Sequence, residues 1–194
     1  MKTIILAILC LSSITVTTAQ RSMQIDTSKS LLKWKGSNLF KFNEHSGTVK
    51  FISGTIFMEN DSLSGGNFEV DMNTIINTDG KYNEMLVWHL KNEDFFNVEE
   101  HPRAKLEIKS IKYLDENEVQ INADLTIKSI TNPIVYKSML ERQKGKVLMK
   151  AKFIIDRTLW NVNYESKSLL DSLKDDTISD AIEFEVVVTT NQNK

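Results

Sequence analysis

From residue 30 onward the chain alternates apolar and polar side chains with a period of two, and this limits its fold more than any other feature of the sequence. The run 118–128 is the clearest case. Val119, Ile121, Ala123, Leu125 and Ile127 are apolar, while Gln120, Asn122, Asp124, Thr126 and Lys128 are polar. Such a segment cannot bury itself as a helix, but as a strand it has one dry face and one wet face. The same alternation places Phe68, Val70 and Met72 on one face, Ala104, Leu106 and Ile108 on another, Val147 to Ile155 on a third and Ile182 to Val188 on a last one. With 32–42, 47–51 and 55–58, roughly eight strands are expected. Turn signals separate them at Ser53-Gly54, Asn60-Asp61, Gly65-Gly66, Asp115-Glu116-Asn117, Asn132-Pro133 and Lys144-Gly145. The short connections predict antiparallel neighbours. Two segments, 81–92 and 165–174, carry helical spacing instead.

Half-buried strands in this number must either pair with a second sheet or close on themselves. The expected fold is all-β with short helices, an extended eight-stranded antiparallel barrel of lipocalin type, with a sandwich as the alternative at this point. The inner side chains are often large, and eight strands can still enclose one elongated ligand. Periodicity alone leaves a filled core and a cavity both open.

The N-terminus differs from the rest. Residues 1–19 hold a single charge, Lys2, then the apolar run 4–11, then small or hydroxylated residues before Gln20. That pattern predicts a cleaved signal peptide and a periplasmic or secreted domain over 20–194. The apolar run is too short to cross a bilayer, which takes about 20 residues. The one cysteine, Cys10, lies inside this segment and is preceded by Ile8-Leu9 rather than a small residue, which favours a soluble protein over a lipid-anchored one. The rest of the chain has no thiol chemistry and no disulfide. With 24 basic against 26 acidic residues and no dense basic run, nucleic acid is not expected as a partner. Neither is stable membrane insertion. A second copy of the chain is one further candidate partner.

No catalytic constellation stands out. The three histidines, His45, His89 and His101, are far apart, with no HxH or HExxH spacing. The expected roles are a hydrogen-bonding residue at a strand end for His45, a helix residue beside Met85 and Leu86 for His89, and an exposed residue before Pro102 for His101. No Gly-x-Ser-x-Gly occurs, the adjacent carboxylates Glu99-Glu100 and Asp175-Asp176 read as solvated, and Gly65-Gly66 lacks the helix a phosphate cradle needs. The expectation is a non-enzymatic protein with no cofactor or metal. A haem- or metal-associated redox protein and a ligand-free structural barrel are the alternatives.

Several strings, taken together in order, resemble the YceI family of periplasmic polyisoprenoid-binding proteins. They are Trp34-Lys35-Gly36, His45-Ser46-Gly47-Thr48-Val49, Gly66-Asn67-Phe68-Glu69-Val70-Asp71-Met72, the block from His89 to Val98 leading to His101-Pro102-Arg103-Ala104, and Leu125-Thr126-Ile127-Lys128-Ser129-Ile130-Thr131-Asn132-Pro133. Ser129 departs from the glycine usual in the family. The resemblance implies a lipocalin-like barrel whose apolar pore holds an isoprenoid chain, such as a polyprenyl phosphate or quinone tail, as carrier or sequestering protein. The partner is then an isoprenoid lipid or another long apolar molecule. Parity selects the candidate lining: Phe68, Val70, Leu106, Ile108, Ile121, Leu125, Phe153, Ile155 and Phe184 point inward if the outside is wet. Trp34, Phe51, Met72 and Trp160 join them, with Met85 and Leu90 from the helical segment and Phe95 and Phe96 after it. One of the two adjacent phenylalanines is expected to plug the barrel end and the other to pack under the loop. Arg157 is expected either to pair with a nearby carboxylate or to meet an anionic headgroup at the pore mouth.

Overall fold

A computed structural model describes residues 20–191 apart from 42, 81, 144 and 167–176. The expected signal peptide over 1–19 and most of the expected helix over 165–174 lie outside the described residues. The elements run β1 (Gln20–Gln24), β2 (Leu31–Ser37), β3 (Glu44–Glu59), β4 (Ser62–Asn77), α1 (Asn83–Lys91), β5 (Arg103–Tyr113), β6 (Glu118–Ile127), β7 (Ile130–Gln143), β8 (Lys146–Asp156), a 3-10 turn Arg157–Trp160 and β9 (Ala181–Thr189).

Every strand pairing is antiparallel. Strands β2 to β9 form a closed eight-stranded barrel, because each pairs with the next along the chain and β2 also pairs with β9. Strand β1 is the extra one. It pairs with the second half of β3 while β2 pairs with the first half, and Ile25 bridges to Thr190, so β1 and β2 act as one broken strand. Among the described residues no helix is long and apolar enough to cross a membrane.

The alternation survives almost intact. On β6 every odd residue from Val119 to Ile127 is buried and every even one is half-exposed. Strand β5 carries a bulge at Lys109, between the pairs Ile108↔Ala123 and Ser110↔Asn122. The inward face therefore passes from Ile108 to Ile111. Opposite Val49, β4 bends more sharply: Thr48 pairs with Ile76 and Lys50 with Asp71, which lets both Met72 and Ile75 be buried.

Three expected turns are instead strand interior. Segments 47–51 and 55–58 belong to the single strand β3, with Ser53-Gly54 inside it. Gly54 is there for close approach, since a Cβ would lie 2.7 Å from Phe68 and 2.8 Å from Ile25. Gly65-Gly66 lies within β4 for the same reason, a Cβ on Gly66 meeting the Thr55 carbonyl oxygen at 2.9 Å. Asn132-Pro133 lies within β7, a strand the alternation had not marked. Pairing of β7 with β8 begins only at Ser138↔Ala151, so Pro133 sits where that edge of β7 has no ladder to break. The actual reversal is at Lys128 and Ser129, both with left-handed backbones (φ 48 and 61), as a two-residue hairpin turn demands. The non-glycine Ser129 thus adopts the conformation for which glycine is favoured.

Connections differ at the two ends. The tight turns at Asn60-Asp61, 114–117 and Gly145 gather at one end, here called the hairpin end. The long connections carrying α1 and the 3-10 turn gather at the other and form a cap. Each end has its own buried cluster. Met23, Ile56, Met58, Leu63, Val119, Ile121 and Leu140 seal the hairpin end. Trp34, Leu90, Phe95, Phe96, Trp160 and Val162 lie under the cap.

Candidate ligand-binding cavity

Toward the cap the barrel is hollow, the cap-end cluster forming much of the wall and Phe51, Met149 and Val188 of the hairpin-end cluster bounding it below. A cavity of about 160 Å³ is lined by inward residues of all eight barrel strands and by Leu90, Phe95 and Phe96 from the cap. It is bounded by half-buried side chains that touch one cluster or both, among them Leu32, Phe68, Val70, Leu106, Phe153 and Phe184. The aromatic rings contact one another around the wall. Phe153 stands 4.7 Å from Tyr136 and 5.5 Å from Phe184, and Phe51 meets Phe68 edge-on at 6.5 Å. Gly36 also faces this space, and a Cβ there would meet nothing within 4 Å.

Of the residues that the alternation placed inward, Trp34, Phe51, Phe68, Val70, Met72, Leu106, Leu125, Phe153 and Phe184 line the cavity, as do Leu90, Phe95 and Phe96. Five others do not. Ile108 and Ile121 point inward but are used in sealing the hairpin end, and Ile155 and Trp160 are buried in the cluster beneath the cap. Met85 is on the outer face of α1 and 60% exposed, because the helix turns Leu86 and Leu90 inward. Phe95 and Phe96 correct the expected division of labour: they lie in a hydrogen-bonded turn rather than a strand, with Phe95 N–H donating to Asn92 O and Phe96 N–H to Leu90 O, so both rings are buried and both reach the cavity.

Arg157 is not a headgroup site at a mouth. Its side chain is buried, and its nitrogens donate to the backbone oxygens of Ser179 (3.0 Å), Val162 (2.7 Å), Tyr164 (2.9 Å) and Ile178 (3.4 Å), with Asp180 at 3.7 Å. The guanidinium also lies 5.6 Å over the Phe95 ring. Burial pushes its pKa down and the carboxylates Asp180 and Asp156 push it up, and an arginine stays charged throughout. It ties the cap segment to the strand leading into β9. Trp160 performs a related task, its indole N–H donating to the Leu125 carbonyl at 2.9 Å.

Tyr136 and Gly36 are among several lining residues that the sequence reading did not select, with Leu32, Val49 and Ile75. Tyr136 follows from its strand: Ile134, Tyr136, Ser138 and Leu140 do alternate, but Val135 and Met139 on the outside are apolar too, which hides the period. The histidines each have a different neighbour. His45 Nδ1 is 2.9 Å from Asp79, His89 Nδ1 is 2.9 Å from Asp94 with Tyr164 stacked on its ring, and His101 Nδ1 is 3.2 Å from Ser129 Oγ. Among the described residues no cluster of three or more His, Cys, Asp or Glu side chains is disposed to hold a metal.

A family model, the YceI-like domain, matches residues 23–190. The chain belongs to the YceI-like family. Protein YceI of Escherichia coli O6:H1 is 30% identical over 94 residues, 48% of each chain, and Protein YceI of Shigella boydii serotype 4 is 28% identical over 95. The chain thus spans about half the length of the curated relatives it matches. Among solved structures, Burkholderia cenocepacia BcnA superposes with a TM-score of 0.71 at 15% identity, over 86% of this chain and 99% of that one. A polyisoprenoid binding domain from Saccharophagus degradans, implicated in plant cell wall breakdown, superposes with a TM-score of 0.64 at 14% identity, over 91% of this chain and 100% of that one. At these identities the likeness is one of fold.

Proposed function

We propose that this YceI-like protein holds the chain of an isoprenoid lipid in its barrel, as a carrier or sequestering protein that performs no chemistry on it. The observation that carries the reading is the hollow above the sealed hairpin end, walled almost wholly by aliphatic and aromatic side chains. Each methylene moved from water into such a space is worth about 0.8 kcal/mol, so a lipid is retained without any charged anchor. A solved structure of the same fold is described as a polyisoprenoid binding domain, which supports the chemical class. A cavity of 160 Å³ is close to the size that admits a benzene-sized guest. A long chain therefore enters by displacing wall side chains such as Phe153 and Phe184. The N-terminal pattern over 1–19 supports export to the periplasm or beyond, where such a lipid needs a protein to cover it.

Purification from the exported fraction without detergent, followed by native mass spectrometry and solvent extraction, tests the proposal. One isoprenoid per chain is expected. A protein that carries no lipid and takes up none when offered would overturn it.

A further inference from the structure

The wall of the cavity includes the polar side chains of Trp34, Lys105, Tyr136, Ser138, Arg157 and Ser179. Most are already engaged or turned away. Ser138 Oγ donates to Lys150 O at 3.1 Å, Ser179 Oγ accepts from Ala181 N–H at 3.2 Å, and Arg157 is held by carbonyls. Lys105 is exposed on the outer side of β5, and the Trp34 indole nitrogen is buried without a partner, its ring lying where a Cβ on Gly47 would stand.

Tyr136 is different. It pairs with Ile121 across β6 and its ring stacks on Phe153 at 4.7 Å. It lies two residues before the β7–β8 ladder begins, on the inward face between the exposed Val135 and Lys137. Its hydroxyl makes no hydrogen bond to any described residue. Burial alone pushes its phenol upward, so the group stays protonated and available as a donor. A hydroxyl on an apolar cavity wall that has no protein partner gains a hydrogen bond when a ligand supplies an acceptor.

We propose that Tyr136 is a specificity-determining contact of this cavity, its hydroxyl donating a hydrogen bond to a neutral oxygen of the ligand. This rests on the reading of the cavity as an isoprenoid site and narrows it. The favoured ligand is an isoprenoid whose alcohol, ether or carbonyl oxygen reaches the middle of the barrel, in preference to the hydrocarbon of the same length. A charged phosphate is disfavoured at that level, because Arg157, a buried cation of the wall, already directs four of its five N–H donors to backbone oxygens.

The test is a titration of delipidated protein with geranylgeraniol and with the matching hydrocarbon that lacks the hydroxyl, for the wild-type chain and Tyr136→Phe. The wild type is expected to prefer the alcohol, and the variant to lose that preference by roughly three- to tenfold. The thermal midpoint of the ligand-free variant should be equal to or above that of wild type, since only an unpaired hydroxyl is removed. An unchanged ratio of affinities in Tyr136→Phe overturns the role of Tyr136 while leaving the cavity reading intact. Binding of neither compound to the wild-type chain overturns the cavity reading, and the role of Tyr136 with it.

Discussion

The hairpin end and the cap end of the barrel are made from the same alternating strands, yet they fill in opposite ways. At the hairpin end the inward positions are Met23, Ile56, Met58, Val119, Ile121 and Leu140, none more than 2% exposed. These flexible or branched aliphatic side chains form one buried cluster, to which β1 adds Met23 and the position just after that strand adds Ile25. Toward the cap the inward positions become Trp34, Phe68, Phe153 and Phe184, and the rings contact one another around the wall, Phe51 edge-on to Phe68 and Phe153 tilted against Phe184. Phe68, Phe153 and Phe184 are only half-buried although they point inward. What they face is the cavity, not bulk solvent. Residual exposure on an inward face is thus the mark of the hollow, and the boundary between sealed and hollow barrel runs between Ile121 and Leu125 on a single strand.

The contrast can be broken most severely at the cap. Arg157→Leu leaves four backbone carbonyls and Asp180 without their buried cation, and a loss of about 3–5 kcal/mol is expected in urea unfolding. Amide exchange should quicken first around 157–164 and last at the hairpin end; uniform loss of protection would mean the two ends are one cooperative unit. Next in size is a matched pair of truncations. Ile121→Ala in the sealed cluster should cost about 2–4 kcal/mol, whereas Leu106→Ala, bordering existing empty space, should cost about 1–2 kcal/mol. Equal costs would argue that the wall is as tightly packed as the seal.

Gly36→Leu sharpens the comparison from the other side. Its Cβ meets nothing within 4 Å, so stability should change by less than about 1 kcal/mol while the added side chain occupies the cavity and lowers ligand occupancy. The smallest effect belongs to the turn that fastens β1 to the hairpin end. Hydrogen bonds from Ser28, then Lys29, hold the Asp26 carboxyl down from 3.8 to about 2. A depressed carboxylate pKa stabilises the fold above the unfolded value, and this contribution is lost as pH falls toward 2. The stability difference between wild type and Asp26→Asn should therefore be constant above pH of about 4 and disappear near pH 2; a difference that persisted at pH 2 would place the effect in the turn's backbone rather than in its charge.

Much of this architecture was legible in the sequence because a half-buried strand writes its burial at every second residue, as 118–128 does. What was not legible follows from where that code is overwritten. Apolar Val135 and Met139 on the outside of β7 hid a strand, and with it Tyr136. Glycines at 54, 65 and 66 looked like turns because a residue chosen for close approach of two strands is the same residue a turn would select. Parity named the inward residues correctly on β6 but could not tell Ile121 from Leu125, because sealing and lining depend on what the other strands bring to that height. Arg157 was ambiguous for a related reason: its partners are backbone carbonyls of a distant segment, and carbonyls have no sequence signature.

The central claim is that a hollow of limited extent, sealed at one end, receives an isoprenoid chain. The most direct measurement is the affinity of delipidated protein for a series of polyprenols of increasing length. Affinity is expected to rise with each added isoprene unit and then level off once the chain fills the barrel, and Gly36→Leu should bring the plateau to a shorter chain. Affinity that is absent, or that does not depend on chain length and ignores Gly36→Leu, would contradict the account.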